Sequence, residues 1–135
     1  MKIGITLLSL IVGLEAYAQL TVTVSPPQLI GQKAVARLGL RNEFREKIES
    51  ARAVVFLLDE KGKMVAQGTH WVIGGERGKP GLAPAGTNTF YFVLTSAHPF
   101  SATNLTAKLT FNRIVLEGGK LADPKKDVRV KNSSK

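Results

Sequence analysis

The chain has 135 residues, a formal net charge of +9 and no cysteine. Its length excludes two full-sized domains, and the lack of cysteine excludes a disulfide framework and thiolate chemistry. The charge favours anionic partners such as acidic glycans, lipid headgroups or an acidic protein face, although net charge also serves solubility alone.

Residues 1–18 read as an export signal. Lys2 supplies the positive start and Ile3 to Leu14 an apolar run; Ala16-Tyr17-Ala18 is the small-residue site that places cleavage between Ala18 and Gln19. The run falls short of the roughly 20 residues a bilayer span needs, so no transmembrane segment is expected in the mature chain. Lys2 and Glu15 leave together, and the charge stays at +9. With no cysteine to carry a lipid, the expectation is a bacterial protein that is soluble in the periplasm or released. One domain over 19–131 and a disordered basic tail over 132–135 complete the plan.

Leu20 to Ser25 alternates, with Leu20, Val22 and Val24 on one side and Thr21, Thr23 and Ser25 on the other, as a half-buried strand does. Pro26-Pro27 ends it. After a turn at Gly31-Gln32-Lys33 alternation returns: Ala34, Ala36, Leu38 and Leu40 oppose Val35, Arg37, Gly39 and Arg41. Asn42 to Ser50 reads as a crossing loop in which Phe44 and Ile48 seal one end of the core. Ala53, Val55 and Leu57 then share a strand with Val54, Phe56 and Leu58, so both faces are apolar and a central strand with two buried faces is expected.

Asp59 to Lys63 is its turn, with Gly62 able to take a positive φ, and Met64 to Ile73 returns as a second strand containing Trp71. Gly74 to Gly86, rich in glycine and proline, reads as an exposed, mobile connection. Thr87 to Leu94 turns Phe90, Phe92 and Leu94 inward. Leu105, Ala107, Leu109 and Phe111 alternate until the phase slips to Ile114 and Leu116, which predicts a bulge or tight turn near Asn112-Arg113. Val128 and Val130 among charged neighbours form an edge strand. About seven short strands without a helical period predict an immunoglobulin-like antiparallel β-sandwich.

Three stretches carry a family likeness: Leu38-x-Leu40-x-Asn42, Val55-Phe56-Leu57-Leu58-Asp59 with Gly62, and Leu82-Ala83-Pro84-Ala85-Gly86 leading to Phe90 and Phe92. Over Leu38 to Leu94 the chain resembles the bacterial FxLYD-type immunoglobulin-like domains of exported proteins. Val55 stands at that family's Phe, Leu58 at its Tyr, and Ala85 comes before Gly86 where the family has Pro-Gly. The resemblance implies a fold more than a task.

Catalytic machinery is hard to assemble. Asp59 and Glu60 are adjacent acids on a turn, whereas paired catalytic carboxylates flank a bond in contrasting environments. His70 and His98 have no partners for a metal set, which needs three or four convergent ligands. Gly75-Glu76-Arg77-Gly78-Lys79-Pro80 lacks phosphate-loop spacing. No catalytic residue, metal or cofactor is therefore expected.

The expected function is a non-catalytic binding or accessory module of the cell envelope. It would act through protein–protein contacts at Val54, Phe56 and Leu58 if that face is left uncovered. The alternative is binding of anionic glycan or lipid headgroups through Arg37, Arg41, Arg77, Lys79, Lys125, Lys126 and Arg129. Nucleic acid fits less well, because no aromatic stacking platform interleaves with the basic residues. A small envelope hydrolase, a third reading, would depend on Asp59 or His70.

Overall fold

The computed structural model describes residues 19–101 and 104–133. The expected leader and the Ala18 side of its cleavage site lie outside the described residues. Eight strands follow in order: β1 (Leu20–Val24), β2 (Gln28–Ile30), β3 (Lys33–Asn42), β4 (Ile48–Leu58), β5 (Met64–Gly74), β6 (Thr87–Thr95), β7 (Thr106–Leu116) and β8 (Val128–Asn132). They form a five-stranded and a three-stranded sheet, and the inward residues of both merge into one core cluster. This is the all-β sandwich that the alternation predicts.

In the larger sheet β3 pairs with β6 along one side and with β1 and then β2 along the other. β1 and β2 act as one strand interrupted by Pro26-Pro27, which offer no amide to β3. The short β2 escapes the sequence pattern for that reason. Gly31, at φ 63°, turns β2 into β3. Leu20, Val22, Val24, Ala34, Ala36, Leu38 and Leu40 are all buried, and each large aliphatic among them contributes about 1.5–3 kcal/mol.

β8 departs from the antiparallel expectation, because it runs parallel to β1 with Leu20 opposite Val128 and Val24 opposite Asn132. Asn132, expected to open a disordered tail, instead ends this strand and donates to Ala107 O at 3.1 Å. The Ser133 amide follows it onto Val24 O. Backbone pairing with β1 orders these two residues.

β4 is the centre of the smaller sheet, between β5 and β7. Ala53, Val55 and Leu57 are fully buried, but Val54, Phe56 and Leu58 are only half-buried. The expectation of two buried faces is corrected: one face packs into the core, and the other stays half-exposed. The turn forms at Asp59 to Lys63, where Asp59 Oδ1 accepts the Lys61 and Lys63 amides and Gly62 takes φ 81°. The bulge near Asn112 is present. Arg52 pairs with Arg113 and Ala53 with Phe111, leaving Asn112 unpaired and returning Ile114 to the core.

The Gly74 to Gly86 connection is pinned, contrary to expectation. Leu82 is buried and exchanges both backbone bonds with Ile48. Gly74 donates to Pro80 O.

Candidate functional site

On the outward side of β3, Arg37 lies opposite Tyr91, Gly39 opposite Thr89, and Arg41 opposite Thr87. On the flank shared with β1, Thr21 lies opposite Arg41 and Thr23 opposite Gly39. The parallel partner adds Arg129 beside Thr21 and Lys131 beside Thr23. Since the alternate residues Leu20, Val22, Leu38, Leu40 and Phe92 are buried, period-2 geometry places this whole set on one open face. It is a floor of threonine hydroxyls carrying Arg37, Arg41, Arg129 and Lys131, with Lys33 farther along the same face of β3.

Gly39 has no side chain, and the floor dips there into a shallow hollow of about 540 Å³ between Thr21, Thr23, Thr87 and Thr89. A second hollow of about 780 Å³ adjoins Ser25, Pro26, Arg37 and Tyr91. Arg37 Nε donates to Ser25 Oγ at 3.4 Å. The carboxylate at the rim is Glu43, 3.3 Å from Arg41 Nε and also reached by Thr21 Oγ1. One exposed ion pair of this kind fixes geometry more than energy, and the remaining cations give the face a positive potential.

The seven expected anion contacts thus separate. Arg37, Arg41 and Arg129 share this face. Arg77 and Lys79 lie on the β5–β6 connection, where Lys79 Nζ donates to Trp71 O at 2.7 Å, pairs with Glu76 at 3.2 Å and stands 4.8 Å from the Phe90 ring centre. Lys79 is engaged in holding its own loop. Lys125 and Lys126 sit on a turn organised by Asp123, whose carboxyl is held below its ordinary value by the Lys125 amide first and the Lys126 amide second. Gln19, the expected first mature residue, bonds through its amide to Asp127 O and through its carbonyl to the Glu43 amide.

Tyr91, Lys131 and the paired threonines are not among the site residues expected from the sequence. Tyr91, 60% exposed, was legible from its outward phase in β6. Lys131 was not, because the parallel contact of β8 with β1 leaves no local pattern.

The second expected surface is the outer face of the smaller sheet. Its rows read Arg113–Arg52–Trp71, Thr110–Val54–Thr69, Lys108–Phe56–Gln67 and Thr106–Leu58–Met64 across β7, β4 and β5. Arg52 stands over Trp71 at 5.2 Å and bonds Asn112, a cation–π contact that fixes both side chains. The stripe of Val54, Phe56 and Leu58 is therefore flanked by hydroxyls, an amide and cations, without a carboxylate in these rows.

The side chains considered for chemistry have structural partners. Asp59 caps its turn, and His70 meets Phe92 edge to face at 4.8 Å. No helix among the described residues is long and apolar enough to cross a membrane.

Fold and faces together define a small all-β sandwich with two basic sheet surfaces. No protein-family model matches the chain, and no curated protein sequence matches it. Solved structures do. A protein from Bordetella pertussis described as ApaA is similar over 78% of this chain and 87% of its own, at 18% identity and a TM-score of 0.55. IrmA from Escherichia coli is similar over 87% of this chain and 96% of its own, at 13% identity and a TM-score of 0.52. At such identities the likeness concerns the fold.

Proposed function

We propose that the protein is an exported, non-catalytic binding module of the bacterial envelope that takes an anionic macromolecule on the outer face of its five-stranded sheet. The observation that carries the reading is the register that brings Arg37, Arg41, Arg129 and Lys131 onto one open floor around Gly39. Threonine hydroxyls donate to sulfate, carboxylate or phosphate oxygens, and arginine meets such groups with paired donors. A flat face four strands wide suits an extended polymer better than a small ligand, which needs a deep pocket. The leader pattern supports export.

Retention on dextran sulfate tests this, with neutral dextran as reference. Binding is expected to fall steeply between low and physiological salt. Arg37→Glu with Arg129→Glu is expected to weaken it about tenfold or more, since two contacts of roughly 0.5–1 kcal/mol each turn repulsive. Lys125→Glu with Lys126→Glu is expected to change it far less. Equal losses from both pairs would mean net charge alone is read and would overturn the face.

Half-exposure of Val54, Phe56 and Leu58 favours a second reading, an envelope protein docked on the smaller sheet. Phe56→Lys would then abolish protein capture and leave dextran sulfate retention intact.

A further inference from the structure

We propose that β6 is a self-pairing edge, through which two copies of this chain join their five-stranded sheets into one continuous sheet about a two-fold axis. The inference stands apart from anion binding.

β6 pairs with β3 alone among the described residues. Three hydrogen bonds fix which of its groups are free. The Asn42 amide reaches Gly86 O and the Ser96 amide reaches Gln32 O, so even-numbered positions along this segment face β3. The Thr89 amide, in the odd set, is taken by its neighbour's Asn88 Oδ1 at 2.9 Å. The amides and carbonyls of Thr87, Thr89, Tyr91, Val93 and Thr95 therefore point to the open side.

Every other edge carries a device against strand addition. β8 has Arg129 and Lys131. β7 has Lys108, Arg113 and the Asn112 bulge. β5 breaks register twice against β4, and β2 is three residues long. β6 has nine residues, TNTFYFVLT, with no charge, proline or register break. Tyr91 and Val93 are 60% and 38% exposed beside that edge.

A second copy is the occupant that a neutral, self-complementary edge strand suits. In a chain of net charge +9, joining at β7 or β8 sets cations against cations, whereas a β6 seam sets neutral side chains against neutral ones. Full overlap centres the axis on Tyr91. Tyr91 then faces its counterpart, Thr89 faces Val93 of the second copy, and about eight backbone bonds, with the two Thr89 amides held by Asn88, close a seam of roughly 30 Å. On the outer face the cations nearest one another across the seam, Arg37 with its counterpart and Lys33 with Arg41 of the second copy, are then three strand spacings apart, about 14 Å, beyond the screening length of about 8 Å at physiological salt.

Light scattering coupled to gel filtration, from micromolar to submillimolar protein, tests the seam. The mass is expected to double with concentration, more readily at about 0.5 M salt than at low salt, opposite in sign to polyanion binding. Tyr91→Lys places two lysines face to face and is expected to lose the doubled mass while keeping its melting transition. The natural chain has no cysteine, so single variants report register. Tyr91→Cys is expected to crosslink to itself on oxidation, because its Cα atoms come within about 5.5 Å. Thr87→Cys, offset by about 27 Å from its counterpart, is expected not to. A strict monomer at all concentrations overturns the proposal, as does self-association that Tyr91→Lys leaves intact or equal crosslinking at both cysteines. A monomer that instead adds an extended foreign peptide at β6 overturns it in favour of that occupant.

Discussion

Asn42 is the one buried polar side chain in the described core, and three segments depend on it. Its Oδ1 accepts the Phe44 amide at 2.8 Å, and its Nδ2 donates to Glu46 O and Leu82 O at 2.9 Å each. Its backbone meanwhile holds Ala85 and Gly86. The side chain thus closes the β3–β4 crossing and draws in the Leu82 segment. Asn42→Ala leaves the buried Phe44 amide and the Glu46 carbonyl without partners and takes one of two donors from Leu82 O, and is expected to cost about 3 kcal/mol. Asn42→Asp keeps the acceptor for Phe44 but sets a carboxylate against two carbonyls, so it is not expected to rescue. Urea unfolding measures both. A loss under about 0.5 kcal/mol, typical of surface substitutions, would show that water replaces these bonds. In the sequence Asn42 carries part of the family likeness, but nothing there reveals its partners, because Leu82 lies forty positions away.

The β4–β5 hairpin is the element that alternation, turn chemistry and Gly62 announce together, and its turn forms where it is expected, although β4 begins at Ile48, inside the stretch read as a crossing loop. Misreadings arise where local pattern and tertiary partner diverge. Apolar residues on both sides of β4 imply burial on both sides, but Arg52, Trp71 and Lys108 on the outer face let Val54, Phe56 and Leu58 sit half-covered without a second layer. Glycine and proline in 74–86 imply mobility, yet Leu82 inserts into the core and fixes the chain. Arg37 and Arg41 of the candidate face were legible from period-2 phase. Their union with Lys131 was not, because it rests on a parallel pairing between chain ends.

Gly74 shows how tightly the hairpin's far end is held. At φ +52°, a Cβ there would stand against Glu49 O on the neighbouring strand, leaving no room. Gly74→Ala is expected to cost roughly 3–5 kcal/mol, from left-handed backbone and backbone overlap together. Gly78, at φ +81°, has open space around it, so Gly78→Ala carries only the conformational cost of about 1–2 kcal/mol. Thermal melts of the two variants separate the terms. Equal losses would mean that β5 can shift away from Glu49.

At the scale of the whole molecule, both sheet surfaces present cations, and the chain carries a net charge of +9. Self-repulsion within one compact body destabilises it most when salt is scarce. The melting temperature of dilute protein is therefore expected to rise as sodium chloride goes from low to physiological concentration and the screening length shrinks to about 8 Å. Dextran sulfate is expected to act in the opposite sense along the same axis. A ligand that binds only the folded state stabilises it by RT ln(1 + [L]/Kd), about 2.7 kcal/mol at a hundredfold excess over Kd. That gain appears at low salt and fades as salt weakens binding. The two melting curves should converge with salt, the free protein climbing and the complex falling. Arg37→Glu with Arg129→Glu removes four units of positive charge, so it should raise the low-salt melting temperature of the free protein while erasing the dextran sulfate increment. Stability that ignores salt, or an increment that survives the double reversal, would place the positive potential somewhere other than the floor around Gly39.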